Sequence, residues 1–380
     1  MSWIKTTLSI FLITTVLFFC VDYTLSSFNV YVYPQKKIPV ESVFEGTKLR
    51  IADDIYHHGF SPKHYGTQVW SYKLYEVCTD QHSFKTSCSN FSNETTKNFD
   101  IAFIGDSFTE AIGMEFENSF VGMFAADNSK LRVANLGVSS YSPSIYYAKL
   151  KHFLDNGYKF NHVFIFIDIS DIQDEAVYLH KNGRVIFYTE NKWESKAEYK
   201  NTHDHLVTDE LYYGLSKYLK MSAVLYSMVR YGEIVSPSYE IPARISRGEW
   251  TYNEESLYYG QSGVNGAIQK SLHMMEKTHE LLSVNDIKMS IGVYPWPNQI
   301  FNNNLINNQQ SVIWKDFCDN KCEYFFDLFD DYSVLVNNSS PSAVYSEYYI
   351  LGDVHFNKAG NKLVYEAIKR SFGESLDLAD

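Results

Sequence analysis

The 380-residue sequence predicts an α/β protein: a three-layer α/β/α sandwich with a central parallel sheet, an irregular N-terminal extension and one insertion. Short apolar runs recur without polar alternation, at 101–105 (IAFIG), 131–137 (LRVANLG), 162–168 (HVFIFID) and 288–294 (KMSIGVY). That is how strands covered on both faces read. Between them lie helix-length amphipathic stretches, and strands that alternate with helices argue a parallel sheet. A hydrophobic content of 45% against 21% charged supports a sizeable core. The net charge of −12, with no cluster of Lys and Arg, excludes nucleic acid as the expected partner.

The chain begins MSWIKTTLSIFLITTVLFFCVDYTLSS. One lysine, Lys5, precedes an almost uninterrupted apolar stretch from Leu8 to Val21. This is short for a membrane span and long enough for the apolar region of an export signal. No small-x-small cleavage site follows, because Asp22, Tyr23 and Leu25 occupy its place, and Phe18-Phe19 before Cys20 do not suit a lipoprotein cysteine. Residues 1–27 are therefore expected to be an uncleaved signal-anchor, with the body exported and held at the membrane. Secretion after cleavage is the second choice.

Residues 28–97 show no regular period and are expected to be irregular. His57 and His58 stand there as an adjacent pair with no third ligand at a workable spacing, so they read as packed or surface histidines and no metal is expected. Outside the anchor the cysteines fall into two close pairs, Cys78 with Cys88 and Cys318 with Cys322. Neither pair has the Cys-x-x-Cys spacing of a zinc site, and an even count at short range suits disulfides in an oxidising compartment.

From residue 98 to 380 the strand–helix rhythm holds, apart from about 176–262. That stretch is polar and tyrosine-rich, with one helix-like run, LYYGLSKYLKMSAVLYSMVRY, and reads as an insertion. Later helices are marked by Val264, Ile268, Leu272, Met275 and Leu282 on one face, then by Val364, Ala367, Ile368 and Phe372 on another.

In such sheets, ligands bind outside the carboxyl ends of the strands. After the first strand come Gly105, Asp106 and Ser107; after the second comes Gly137; after the third come Asp168, Ser170 and Asp171. LGDVHFNKAGN, with Asp353 and His355, precedes the last helix. A hydroxyl, an imidazole, a carboxylate and backbone N–H groups in tight turns make up the equipment of acyl transfer through a serine. Taken alone, Gly-Asp-Ser is an ordinary turn with a helix cap. The chain order of the other residues turns the reading toward a nucleophile.

IGDSFTEAIG, VANLGVSSYS and DVHFNKAGN together resemble the first, second and last blocks of the SGNH (GDSL-like) hydrolase superfamily, over roughly 98–372 outside the insertion. The resemblance implies an SGNH/flavodoxin-like sheet, with Ser107 as nucleophile, His355 as base and Asp353 as its orienting acid. Asp168 is the less favoured orienting acid. The implied oxyanion donors are the N–H groups of Ser107 and Gly137, with Ser170. The third block of the family carries Gly-x-Asn-Asp; here Asp168-Ile169-Ser170-Asp171 stands in its place, so a serine replaces the asparagine donor. Asp353 stands two before His355, where many members have three. The Asp-x-His form resembles the membrane-associated branch linked to alginate and cell-surface polysaccharide O-acetylation. That branch implies an acylated carbohydrate or surface polysaccharide as substrate and a membrane acyl-transfer partner.

The expectation is a serine esterase acting on O-acetyl esters, without metal or organic cofactor. The alternatives are an O-acyltransferase with the same triad and a non-catalytic glycan-binding protein of the same fold. Asp106 and Trp296, the latter in VYPWPNQI after a strand, are candidate substrate contacts, and Arg244 and Arg247 are offered either to an anionic acceptor or to solvent. Neither Gly-x-Gly-x-x-Gly nor a Walker-type loop follows any of the strands, which argues against nucleotide binding.

Overall fold

A computed structural model of the protein describes residues 2–28, 49–70, 73–89, 96–181, 184–187, 245–260 and 262–376. The chain divides into two compact units, one formed by Met1–Pro39 with Lys192–Ser238 and the other by Val40–Asn191 with Tyr239–Asp380. Of the first unit only one helix is described, α1 (Ser2–Phe28), whose apolar side chains are largely exposed, Leu8 by 69% and Phe11 by 73%. Among the described residues no helix is long and apolar enough to cross a membrane. Arg244 and the helix-like run at 211–231 lie outside the described residues.

The second unit begins with what the sequence led us to expect as irregular chain, and here the structure differs. β1 (Arg50–Asp53) pairs with β2 (His57–Phe60), and β3 (Tyr65–Trp70), β4 (Lys73–Thr79) and β5 (Lys85–Thr86) form an antiparallel sheet. These strands are two to seven residues long and mix His, Tyr and Lys with apolar residues on both faces, so they lack the two-residue alternation by which a strand is read. Phe84, in the turn just before β5, packs into the core, 5.5 Å from Phe99 and 5.0 Å from Phe153, ring to ring.

β6 (Asn98–Gly105) leads through a single helical turn, α2 (Ser107–Glu110), to α3 (Phe120–Asp127) and β7 (Val133–Asn135). α4 (Pro143–Asp155), β8 (Lys159–Ile167), α5 (Asp171–Val177) and a hairpin, β9 (Tyr178–Lys181) with β10 (Arg184–Phe187), follow. After the insertion come α6 (Gly263–Ser283), β11 (Lys288–Val293), α7 (Pro297–Phe301), α8 (Gln309–Cys318) and β12 (Phe325–Asp327). The chain closes with α9 (Leu328–Asn338), α10 (Pro341–Tyr348) and α11 (Lys358–Leu376).

The central sheet has the order β12-β11-β8-β6-β7, parallel throughout, with helices on both sides. On one face Phe103, Phe164 and Phe166 meet Phe120, Phe124 and Phe372 of α3 and α11. α4, α5 and α6 pack on one another as a second group. The register sets Gly105 opposite Phe166, and Val293 opposite both Ile167 and Asp327, so the loops after these strands leave one edge together. Cys78 is bonded to Cys88 and Cys318 to Cys322.

Candidate active site

The turn after β6 is built for close approach. A Cβ on Gly105 would lie 2.2 Å from Thr109 Oγ1 and 2.7 Å from the Phe166 carbonyl oxygen, so only glycine fits. Asp106 then caps α2, accepting the Phe108 N–H at 3.0 Å, and places Ser107 in the first turn. Ala111, in the left-handed conformation, ends the helix after four residues. Lys85 Nζ, from the extension, donates to the carbonyls of Glu110, Ala111 and Met114 at 2.8–2.9 Å, and so satisfies the acceptors that a helix end leaves open. Burial pulls this lysine down to about 8.

His355 arrives on the turn between α10 and α11. Tyr345 Oη accepts the N–H of Gly352 at 2.7 Å and of Asp353 at 3.2 Å, and the Ile350 N–H donates to the His355 carbonyl at 2.8 Å. The imidazole lies between Phe108 (4.9 Å, tilted) and the edge-on ring of Trp70 (5.3 Å), which the extension supplies. Asp353 Oδ1 accepts from both the backbone N–H and Nδ1 of His355. A carboxylate on Nδ1 fixes the tautomer, leaving the Nε2 lone pair toward Ser107 Oγ at 2.8 Å. Ser107, His355 and Asp353 are thus brought together in one hydrogen-bonded line from a sequence separation of almost 250 residues.

Beneath Ser107 lie three buried carboxylates, Asp106, Asp168 and Asp171, whose oxygens fall within 4.8 Å of one another. Burial raises all three above the ordinary carboxylate range, and the charge of Asp168 pushes Asp106 further. Each carboxylate is held by donors. Asp106 accepts from the Phe108 N–H at 3.0 Å and has Oδ2 3.0 Å from Ser107 Oγ, Asp168 accepts from the Ser170 N–H and Trp296 Nε1, and Asp171 accepts from Tyr146 Oη at 2.6 Å. The end of the insertion braces this floor, Trp250 Nε1 donating to the Ile169 carbonyl at 2.8 Å and Arg247 pairing with Asp174.

Three expectations change on this geometry. Trp296 is 3% exposed and spends its indole N–H on Asp168, so it is part of the floor and presents no face to a sugar. Asp106, 2% exposed, serves as helix cap and partner of Ser107 Oγ, not as a substrate contact. The Gly137 N–H donates to Asn135 Oδ1 at 2.9 Å and is unavailable to an oxyanion. Its glycine is required for another reason: a Cβ there would lie 2.7 Å from Thr109 Cβ and 2.8 Å from the Glu110 nitrogen. Ser170 is buried beside the Asp168 carboxylate, with Oγ making no aligned hydrogen bond among the described residues.

Further along the loop after β7, the Ser139 N–H donates to Glu110 Oε2 at 2.7 Å. The next amide, of Ser140, donates to no group among the described residues, and Ser140 holds φ at +62°. The loop is anchored beside the nucleophile by Val138 N–H to the Gly105 carbonyl at 3.2 Å. Ser140, three residues beyond Gly137, is not among the residues expected from the sequence. The signal was a polar Ser-Ser pair in a tight turn, where a non-glycine residue takes the left-handed region. Arg247 bonds to Asp174, and His57 and His58 are packed side by side, His58 buried and His57 half-buried.

Fold and site together define an α/β/α protein with a Ser–His–Asp line at the carboxyl edge of its parallel sheet. No family model matches the chain, and no curated protein is similar to it. Among solved structures it is similar to a member of the lipolytic protein G-D-S-L family from Veillonella parvula DSM 2008, at 12% identity over 72% of this chain and 98% of that one, with a TM-score of 0.39. It is also similar to Axe2, an acetylxylan esterase from Geobacillus stearothermophilus, at 12% identity over 72% of this chain and 94% of that one, with a TM-score of 0.39.

Proposed function

We propose that the chain is an exported, membrane-anchored serine esterase of the SGNH type, acting on O-acetyl esters of a carbohydrate or cell-surface polymer through an acyl-enzyme on Ser107. The observation that carries this reading is the unbroken line Ser107 Oγ–His355 Nε2 (2.8 Å) and His355 Nδ1–Asp353. Ser107 Oγ attacks the ester carbonyl as its proton passes to His355 Nε2, and Asp353 steadies the imidazolium. The oxyanion of the tetrahedral intermediate is met by the N–H groups of Ser107 and Ser140. His355 then returns its proton to the leaving sugar oxygen. Water, deprotonated by the same imidazole, attacks the acyl group and releases acetate and free Ser107.

Support for export comes from the apolar run Leu8–Val21 behind Lys5 and from two disulfides, which persist in oxidising compartments. The same triad serves transfer if a sugar hydroxyl replaces water, and His355, only 5% exposed beneath Trp70 and Phe108, leaves water a narrow approach. The test is acetate release from 4-nitrophenyl acetate and from an acetylated oligosaccharide by the full chain, with an unacetylated oligosaccharide present or absent. Acetate loss that Ser107→Ala abolishes supports the esterase; acetyl appearing on the added sugar assigns the transferase. Activity that survives Ser107→Ala in a folded protein overturns both.

A further inference from the structure

The peptide between Ser139 and Ser140 is trans, so its carbonyl and its N–H point in opposite directions. The carbonyl is held from one side: His58 Nε2, on β2 of the N-terminal extension, lies 2.8 Å from the Ser139 oxygen. Because a carbonyl only accepts, Nε2 carries the proton, and His58 Nδ1 accepts from His57 Nδ1 at 2.8 Å. The ring is 3% exposed and stands edge-on to Tyr141 at 4.9 Å, while Tyr141 Oη donates back to the His58 carbonyl at 2.6 Å. Each neighbouring peptide has its own restraint, Ser139 N–H on Glu110 Oε2 and the Ser140 carbonyl on Tyr178 Oη at 2.9 Å. What orients the 139–140 peptide itself is His58.

Ser140 at φ +62° occupies a region that L-residues avoid. Turning over the 139–140 peptide would release that strain, and would exchange the N–H facing away from His58 for a carbonyl oxygen. An oxygen there repels an oxyanion, where an N–H stabilises it. We infer that His58 is a positioning residue: by holding the Ser139 carbonyl it keeps the Ser140 N–H turned toward the acyl oxygen of the ester bound at Ser107. This rests on the esterase reading above and adds to it a part for the N-terminal extension, whose hairpin sets the shape of the oxyanion site.

The experiment compares the full-length wild type with His58→Leu, which removes the donor, and His58→Gln, whose amide restores one. Steady-state hydrolysis of 4-nitrophenyl acetate gives kcat and KM, and inhibition by phenylboronic acid reports binding of a tetrahedral adduct. Removing one oxyanion donor outright lowers kcat by about 10²–10³. A donor left in place but free to turn is expected to cost His58→Leu about 10- to 100-fold in kcat, with KM unchanged and boronate inhibition weakened in parallel. His58→Gln recovers most of both. If His58→Leu fails to fold, His58→Asn, whose amide stops short of the Ser139 oxygen, takes its place against His58→Gln. A folded donor-less variant with wild-type kcat and boronate affinity overturns the inference while leaving the esterase reading intact. A wild type without Ser107-dependent turnover overturns that reading, and the part of His58 with it.

Discussion

Replacing Arg50 by Met strips the partner from a buried acid. Arg50 Nη2 pairs with Glu110 Oε1, with the two side chains 11% and 2% exposed, and Glu110 Oε2 also accepts the Ser139 N–H at 2.7 Å. Glu110 ends the turn that carries Ser107, so the pair ties β1 to both halves of the site. Breaking a buried pair costs about 3–5 kcal/mol, because the remaining charge is left without compensation. Arg50 Nη1 has no partner among the described residues, so the pair is incompletely satisfied and the lower end, about 3 kcal/mol, is expected. For a unit as large as Val40–Asn191 with Tyr239–Asp380 that is a fall in Tm of about 5 °C. Arg50→Met/Glu110→Gln should recover a good part of the loss, since glutamine is neutral and still accepts the Ser139 N–H. Thermal melts of the two single variants and the double variant form the cycle that isolates the coupling. Additive losses, or an Arg50→Met protein melting with the wild type, would refute the reasoning.

Other expectations test separate parts of the site. Lys149 is buried, donates to the Leu136 carbonyl at 2.9 Å, and is pulled by burial down to about 7. The unfolded chain therefore binds the extra proton between pH 7 and about 10.4, so stability rises with pH there by up to about 1.4 kcal/mol per unit. Melts of Lys149→Met across that window should lack this rise; an unchanged slope would show that Lys149 is charged in the fold. Ser140→Gly keeps the N–H and relieves the left-handed backbone, so it should raise stability by about 0.5–1 kcal/mol and leave kcat close to wild type; a lower Tm would count against the strain. Trp296→Phe withdraws the indole donor from Asp168 and should cost about 1–3 kcal/mol in urea unfolding with KM unchanged. A rise in KM at wild-type stability would restore Trp296 as a substrate contact.

The parts legible in the sequence were those whose environment is simple. Strands buried on both faces, such as IAFIG and HVFIFID, announce themselves as apolar runs, and the residues just beyond them fall at one edge by topology alone. Ser107 is legible in that way, whereas Asp353 and His355 precede the last helix and are legible through the resemblance of DVHFNKAGN to a family block. β12 was hidden because three residues of EYFFDLF are too few to show a period, and the helix after them continues the apolar pattern. The extension was hidden because its order comes from distant partners: Lys85 on three carbonyls, Arg50 on Glu110, His58 on Ser139. Local pattern carries no trace of such pairings. Gly137 misled because a tight turn and an available N–H call for the same residue, and only the position of Asn135 Oδ1 separates them. Trp296 misled because a strand end is close to the site whether its side chain faces the substrate or the floor.

The central claim is that Ser107, activated by His355, is a nucleophile. Treating the folded full-length chain with a fluorophosphonate and locating the adduct by mass spectrometry tests it most directly. A single adduct on Ser107, absent from Ser107→Ala and strongly slowed in His355→Ala, is the result predicted. No adduct on folded wild type, or one that persists in Ser107→Ala, would contradict it.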